Sequence, residues 1–99
     1  MKIPQLLARE EIQIRASALD NWKVLQDHHL EGVFTFPDFA SGMNFAVKVG
    51  NIAEKMQHHP EMEIGAGVVK LIIYTHDRDG LTSWDFDFAE KVNQLMNID

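Results

Sequence analysis

The sequence predicts an α+β fold: a four-stranded antiparallel sheet with helices packed on one face, in the order α-β-β-α-β-β-α. Three stretches carry the apolar spacing of amphipathic helices, and two pairs of stretches between them are rich in β-branched and aromatic residues. This alternation of helices and strand pairs is typical of an α+β domain. The chain has 99 residues, too few for two separate cores, so residues 1–99 are expected to form one domain.

The first helix and the first strand pair are predicted over residues 4–36. Pro4 suits the first turn of a helix that continues to residue 19, and four apolar residues share one of its faces: Leu7, Ile12, Ala16 and Leu19. Strands follow over residues 22–26 and 30–36. Residues 27–29 form the expected hairpin turn, in which His28 and His29 are interpreted as a solvated pair that needs no function.

The second helix is predicted over residues 38–57, because apolar residues recur there at spacings of three and four. They are Phe39, Met43, Ala46, Val47, Gly50 and Ala53. Gly50 lies on this stripe, so we expect its bare backbone to pack closely against the sheet. Pro60 ends the helix, since proline disfavours the helical conformation at the residue before it, His59.

The second strand pair and the last helix complete the fold. Residues 62–67 are expected to form a short strand and a turn. Residues 67–76 are mostly β-branched and apolar, and one face of this strand carries Val69, Leu71, Ile73 and Thr75. The last helix opens within residues 82–85, and its apolar residues recur at helical spacing: Trp84, Phe88, Val92, Leu95 and Met96.

The last helix also carries more aromatic surface than one helix face is expected to bury. Trp84 and Phe88 share a face, whereas Phe86 points away from it. A partner subunit is one way to cover the remainder, and an unpaired edge strand of the sheet offers a second contact. We therefore expect a homo-oligomer, a dimer at least.

Composition and charge exclude several classes of function. The chain has no cysteine, which excludes disulfides, thiolate catalysis and cysteine-based metal sites and fits a reducing, cytoplasmic location. The net charge is −6 at pH 7, with nine scattered Lys and Arg residues, which argues against binding to nucleic acid. Neither a signal peptide nor a membrane-spanning stretch is predicted. A small molecule or a protein surface is the expected partner.

The adjacent histidines His58 and His59 are the first candidate site, and the sequence leaves three interpretations open. Neighbouring side chains diverge on a helix and on a strand, so the pair converges poorly on a metal ion, and no metal site is predicted. A histidine near a helix end is also favoured by the helix dipole alone. In the third interpretation the pair performs acid–base chemistry, which suits histidine because its ordinary pKa of about 6.5 lies near neutrality.

The acid–base interpretation brings in three further residues. Glu54 precedes His58 by four residues, so a helical His58 would share its face and have its tautomer fixed by the carboxylate. His76 ends the long strand, and three imidazoles at element ends could line one cleft. Asp85 stands three residues after Thr82, so it either caps the last helix or takes part in catalysis. Because no serine or cysteine is obviously paired with the histidines as a nucleophile, proton transfer or loss of water fits better than acyl transfer.

Two segments, AEKMQHHPE and THDRDGLTSWD, resemble the pterin-4a-carbinolamine dehydratases, and the resemblance extends over nearly the whole chain. Seven positions match the pattern of that family: Glu54, His58, His59, Pro60, Thr75, His76 and Asp85. Trp22 matches a tryptophan that borders the family's pterin pocket, and Gln57 stands where the animal enzymes have Asp or Asn. Met62 and Ala66 stand where the family often has aromatic residues.

The resemblance implies a dehydratase that needs no metal and no cofactor, since the pterin is its substrate. A 4a-hydroxytetrahydropterin would lose water to give a quinonoid dihydropterin, in tetrahydrobiopterin recycling. The implied catalytic residues are His58, His59, His76, Glu54 and Asp85. The implied substrate-binding residues are Trp22, Gln57, His58, His59, Pro60, Tyr74, Thr75, His76 and Asp77.

The same resemblance implies a homodimer or homotetramer and offers one alternative function. Animal members of the family also act as protein partners that stabilise a dimeric transcription factor. A non-catalytic protein-binding module that retains the dehydratase fold is therefore the alternative. The presence of all three histidines favours the enzyme.

Overall fold

The computed structural model describes residues 2–96 and confirms the predicted order of elements. The helices are α1 (Arg9–Ser17), α2 (Phe39–Met56) and α3 (Ser83–Met96), and the strands are β1 (Trp22–Leu25), β2 (His29–Thr35), β3 (Glu61–Gly65) and β4 (Val68–Ile73). A short 3-10 helix, His76–Arg78, lies between β4 and α3. No helix within the described range is both long enough and apolar enough to cross a bilayer.

The four strands form one antiparallel sheet in the order β1-β2-β4-β3, so β2 and β4 lie in its centre. β4 alternates as predicted, because Val69, Leu71 and Ile73 are buried while the residues between them are partly exposed. The hydrophobic core joins this face of the sheet to the helices, through residues such as Val49 of α2 and Phe88 of α3. The sheet with helices on one face is the predicted architecture.

The helix α1 begins later than predicted. The residues before it run instead along the segment that leads into α3, where the amide of Leu7 donates to the carbonyl oxygen of Leu81 at 3.0 Å. The guanidinium of Arg78 donates to the carbonyl oxygens of Ile3 and Pro4, each at 3.0 Å. A backbone group can be satisfied by a helical or a tertiary partner, and here tertiary partners keep the N-terminal segment extended beside the 3-10 helix.

The buried face of α2 differs from the predicted one. Its buried residues are Gly42, Phe45, Ala46, Val49 and Ala53. Three residues of the predicted stripe are exposed instead, by 53%, 37% and 58%: Phe39, Met43 and Val47. The close packing expected at Gly50 is wrong, since a side chain built there would meet no atom within 4 Å. The helix carries two apolar stripes, and Phe45 decides between them because its ring packs 4.9 Å from that of Phe34, between centroids.

The aromatic residues of α3 do not leave the surplus surface that the sequence suggested. Phe86 and Phe88 are both fully buried, and Trp84 is partly buried. Phe86 is covered by α1, whose Arg15 guanidinium lies 5.1 Å from the centroid of its ring. The argument for a partner subunit from these aromatic residues is therefore wrong, because another helix of the same chain covers Phe86.

Candidate active site

The end of α2 turns the first of the adjacent histidines back toward the core. Gln57 closes the helix in the left-handed conformation, with φ of 53°. The amide of His58 then donates to the carbonyl oxygen of Ala53 at 3.0 Å, the bond of a Schellman-type helix end. The prediction that His58 continues the helix is wrong, because the left-handed residue reverses the chain one position earlier.

Because of this reversal, Glu54 pairs with His59 and not with His58 as predicted. His58 Nε2 lies 2.6 Å from Asp85 Oδ1 in a buried hydrogen bond. His59 Nε2 instead pairs with Glu54 Oε2, at the surface. The prediction that Glu54 holds His58 is therefore wrong: Glu54 holds His59, and Asp85 of α3 sets the tautomer of His58.

Asp85 is fully buried and lies at the centre of a network in which each donor can be assigned. Its Oδ2 accepts from the hydroxyl of Thr75 and from the amide of Thr82, both at 2.8 Å. Because the Thr75 hydroxyl donates to Asp85, it must accept from the Thr82 hydroxyl, which lies 2.8 Å away. The Thr82 hydroxyl in turn accepts from the amide of Trp84 at 3.2 Å. With His58 Nε2–H as the donor to Oδ1, every polar group in this network has a hydrogen-bond partner.

Asp85 caps α3 and also contacts a predicted catalytic histidine. Its bond from the Thr82 amide is the reciprocal half of a capping box, so it caps α3. The same carboxylate binds the imidazole of His58. The helix cap and the candidate site therefore share one buried side chain.

The segments that carry the other two histidines adjoin this buried pair. His59 follows His58 directly, and His76 follows Thr75, whose hydroxyl contacts the same carboxylate as His58. Consecutive Cα atoms are about 3.8 Å apart, so the three histidine-bearing segments meet around Asp85. His59 and His76 are exposed. One buried and two exposed histidines are thus carried by segments that meet at the junction of α2, β4 and α3.

Trp84 borders the site, although the sequence assigned it only to the apolar face of α3. Its ring lies 5.8 Å from the ring of His58 between centroids, in an edge-on arrangement. Thr82 is likewise part of the buried network rather than only the residue before the helix. The capping-box spacing was a signal for Thr82, but the contact of Trp84 with His58 had no signal in the sequence.

The structure places Trp22 in the hydrophobic core. Its ring packs edge-on against Phe34 and Phe88, and its Nε1 donates to the side-chain oxygen of Asn93 at 2.9 Å. The opposite residue on β2 is Gly32, where a Cβ atom would lie 2.8 Å from the Trp22 ring. Glycine is thus required for the tryptophan to lie across its neighbour strand, and the place of Trp22 in a pterin pocket stays a prediction.

The remaining predicted substrate-binding residues lie around the histidine segments. The side chain of Gln57 donates to the carbonyl oxygen of Glu54 at 2.7 Å. Pro60 is partly buried, whereas Asp77 is exposed within the 3-10 helix. Tyr74 is partly buried, and its ring contacts that of His76. Their contribution to pterin binding stays a prediction.

A family model described as Pterin 4 alpha carbinolamine dehydratase matches residues 5–95 of the chain. The chain belongs to the pterin-4a-carbinolamine dehydratase family. Two relatives carry the name "Putative pterin-4-alpha-carbinolamine dehydratase". The one from Alkaliphilus metalliredigens is 43% identical over 92 residues, which cover 92% of this chain and 83% of the relative. The one from Rubrobacter xylanophilus is 40% identical over 89 residues, which cover 90% of this chain and 83% of the relative.

A solved member of the pterin-4a-carbinolamine dehydratase fold confirms the architecture. The transcriptional coactivator/pterin dehydratase from Brucella melitensis matches with a TM-score of 0.87 at 29% identity, covering 92% of this chain and 98% of that one. The resemblance inferred from the two histidine-bearing segments is thus confirmed at the level of family and fold.

Proposed function

We propose that this protein is a 4a-hydroxytetrahydropterin dehydratase that works by histidine acid–base catalysis. The observation that carries the proposal is the buried pair of His58 and Asp85, with the exposed His59 and His76 next in the chain to His58 and to Thr75. A carboxylate that accepts from Nε2–H leaves the other ring nitrogen, Nδ1, to exchange a proton. The family contributes the substrate class, and the arrangement contributes groups suited to moving protons.

The reaction needs two proton transfers, and the site offers imidazoles for both. An acid protonates the 4a-hydroxyl as the bond from C4a to oxygen breaks, and a base removes the proton from N5 as the double bond between N5 and C4a forms. Water and the quinonoid dihydropterin leave. Each well-placed transfer accelerates a reaction by about 10²–10⁴-fold. The accessible His59 and His76 supply the exchanging groups at the open side, and Asp85 holds His58 in one tautomer behind them.

The proposed mechanism uses no metal and no cofactor other than the pterin substrate. The Nε2 atoms of His58 and His59 face two different carboxylates, one buried and one at the surface. Adjacent imidazoles held apart in this way are poorly arranged to share an ion. We further propose that the protein acts in the cytoplasm, where it returns the pterin product of an aromatic hydroxylase to the tetrahydrobiopterin cycle.

A direct assay tests the activity. The carbinolamine is generated chemically, and the appearance of the quinonoid product is followed by absorbance with and without the protein. A rate that rises in proportion to protein concentration is the expected result. A rate equal to that of the protein-free solution would overturn the proposal and leave the protein-binding module as the better function.

The protein is also proposed to form a homo-oligomer, on a surface other than the one the sequence suggested. The stripe of Phe39, Met43 and Val47 presents apolar side chains to solvent along one face of α2. This stripe is also the observation that favours the second candidate function, a protein-binding module, since the solved relative carries the name of a coactivator.

Light scattering at micromolar concentration tests the assembly. The wild type is expected to have at least the mass of a dimer of the 11.3 kDa chain. Val47→Glu should lower that mass, because the charge would be buried at the interface, whereas Lys48→Glu beside it serves as the control. A wild-type mass of one monomer would contradict the proposal.

A further inference from the structure

His28 contacts the chain on both sides of His76. Its ring centroid lies 4.4 Å from that of Tyr74, two residues before His76. Its Nε2 lies 2.8 Å from Oδ1 of Asp79, three residues after His76. The ring of Tyr74 then contacts that of His76 at 4.1 Å, so three rings form a tilted stack in the order His28, Tyr74, His76.

The hairpin between β1 and β2 fixes the place of His28. Gln26 and Asp27 both have positive φ, 58° and 52°, which is the geometry of a tight turn between twisted antiparallel strands. The amide of His28 donates to the carbonyl oxygen of Leu25 at 3.0 Å and closes the turn. The side chain of His28 is 30% exposed, and its Nδ1 lies 3.0 Å from Nδ1 of His29. The prediction of a solvated pair is therefore wrong, because Tyr74 and Asp79 cover His28.

His76 itself has little else to hold its ring. It is exposed at the start of the 3-10 helix, and its ring makes no hydrogen bond to any residue within 2–96. An exposed side chain that is free to change rotamer loses proton-transfer geometry, since catalysis requires the reacting groups to be held in place. The contact with Tyr74 restricts the ring of His76, and Tyr74 is contacted in turn by His28.

We propose that His28 is a positioning residue for His76, acting through the ring of Tyr74. The proposal rests on the proposed function of His76 as a proton-transfer group. His28 does not touch the reacting atoms in this account. Its ring keeps Tyr74 against His76.

Steady-state kinetics on three variants tests the inference. His28→Ala removes the ring, and its kcat is expected to fall by roughly three- to tenfold, the effect of one lost aromatic contact. Its KM should stay within about twofold, because geometry in the transition state is lost rather than ground-state binding. His28→Phe retains a ring against Tyr74 and should recover most of kcat. Arg9→Gln is the control, since it removes an ion pair of 2.8 Å to Asp27 in the same turn and should leave kcat unchanged.

A second readout separates this inference from the proposed function. The proton resonance of the His76 ring is identified by its absence in His76→Ala, and its position reports the neighbouring Tyr74 ring without any substrate. It should move in His28→Ala and stay in place in Arg9→Gln. Wild-type kcat and an unmoved resonance in His28→Ala would overturn the inference, and so would a His28→Phe as slow as His28→Ala. If the wild type had no dehydratase activity, the proposed function would fail. The His76 resonance in His28→Ala would still show whether His28 positions the His76 ring.

Discussion

His58 with Asp85 and His59 with Glu54 are two imidazole–carboxylate pairs whose histidines are adjacent in the chain, yet they lie in different environments. The side chains of the first pair are 9% and 0% exposed, and those of the second are 55% and 72% exposed. A buried hydrogen-bonded pair depends on every partner being present, whereas water can replace or screen an exposed one. A histidine–carboxylate pair can thus be necessary for folding where it is buried, as for His58 and Asp85, and unnecessary where it is exposed, as for His59 and Glu54.

The largest effect is expected for Asp85→Ala. The change leaves His58 Nε2, the Thr75 hydroxyl and the Thr82 amide without their acceptor, and it removes half of the α3 cap. Leaving a buried donor without its acceptor costs about 1–3 kcal/mol of unfolding free energy for each group, measurable by urea denaturation, and the dehydration rate should fall with it.

Asp87→Ala is the matched control for that substitution, two residues further along α3. Asp87 pairs with Arg15 at 3.2 Å at the surface, so its loss should cost at most about 1 kcal/mol. Equal stability losses for the two variants would contradict the special dependence of the fold on the buried network around Asp85.

Glu54→Gln should have a much smaller effect, because it keeps an oxygen that can accept from His59 at the surface. The unfolding free energy should change by less than about 1 kcal/mol. The dehydration rate should fall by less than about tenfold, because Glu54 only orients the His59 imidazole, and that imidazole still exchanges the proton. A loss of stability as large as that of Asp85→Ala would show that the two pairs are not different in kind.

No effect is expected from prolonged dialysis against a chelator. The two pairs direct the adjacent histidines toward different carboxylates, which leaves them poorly arranged to bind one ion. Activity measured before and after dialysis should agree. Loss of activity that added zinc restores would overturn the metal-free mechanism for both halves of the site.

The parts of the fold that could be predicted are those that depend on the local spacing of apolar residues. The faces of β4 followed from strict alternation, because Val69, Leu71 and Ile73 can be buried only together. The face of α2 could not be predicted, since two apolar stripes compete on that helix and the packing of Phe45 on the sheet decides between them. The start of α1 was missed for a related reason: the bond from Leu7 to Leu81 joins residues far apart in the chain.

The contact of His58 with Asp85 joins two residues that the motifs selected, but the pairing of the histidines with their carboxylates could not be predicted. Glu54 pairs with His59 rather than His58 because Gln57 has a left-handed backbone conformation. Residues other than glycine adopt that conformation only when the surroundings stabilise it. The donors to Asp85 come from separate elements, so only the folded chain reveals them.

The rate of carbinolamine dehydration by His59→Ala and His76→Ala, each compared with the wild type, tests the central claim most directly. Both side chains are exposed, so both variants are expected to unfold at the same urea concentration as the wild type. Each should nevertheless be at least about tenfold slower, because each removes a group that exchanges a proton with the substrate. Wild-type rates in both variants would contradict the assignment of these histidines to acid–base catalysis.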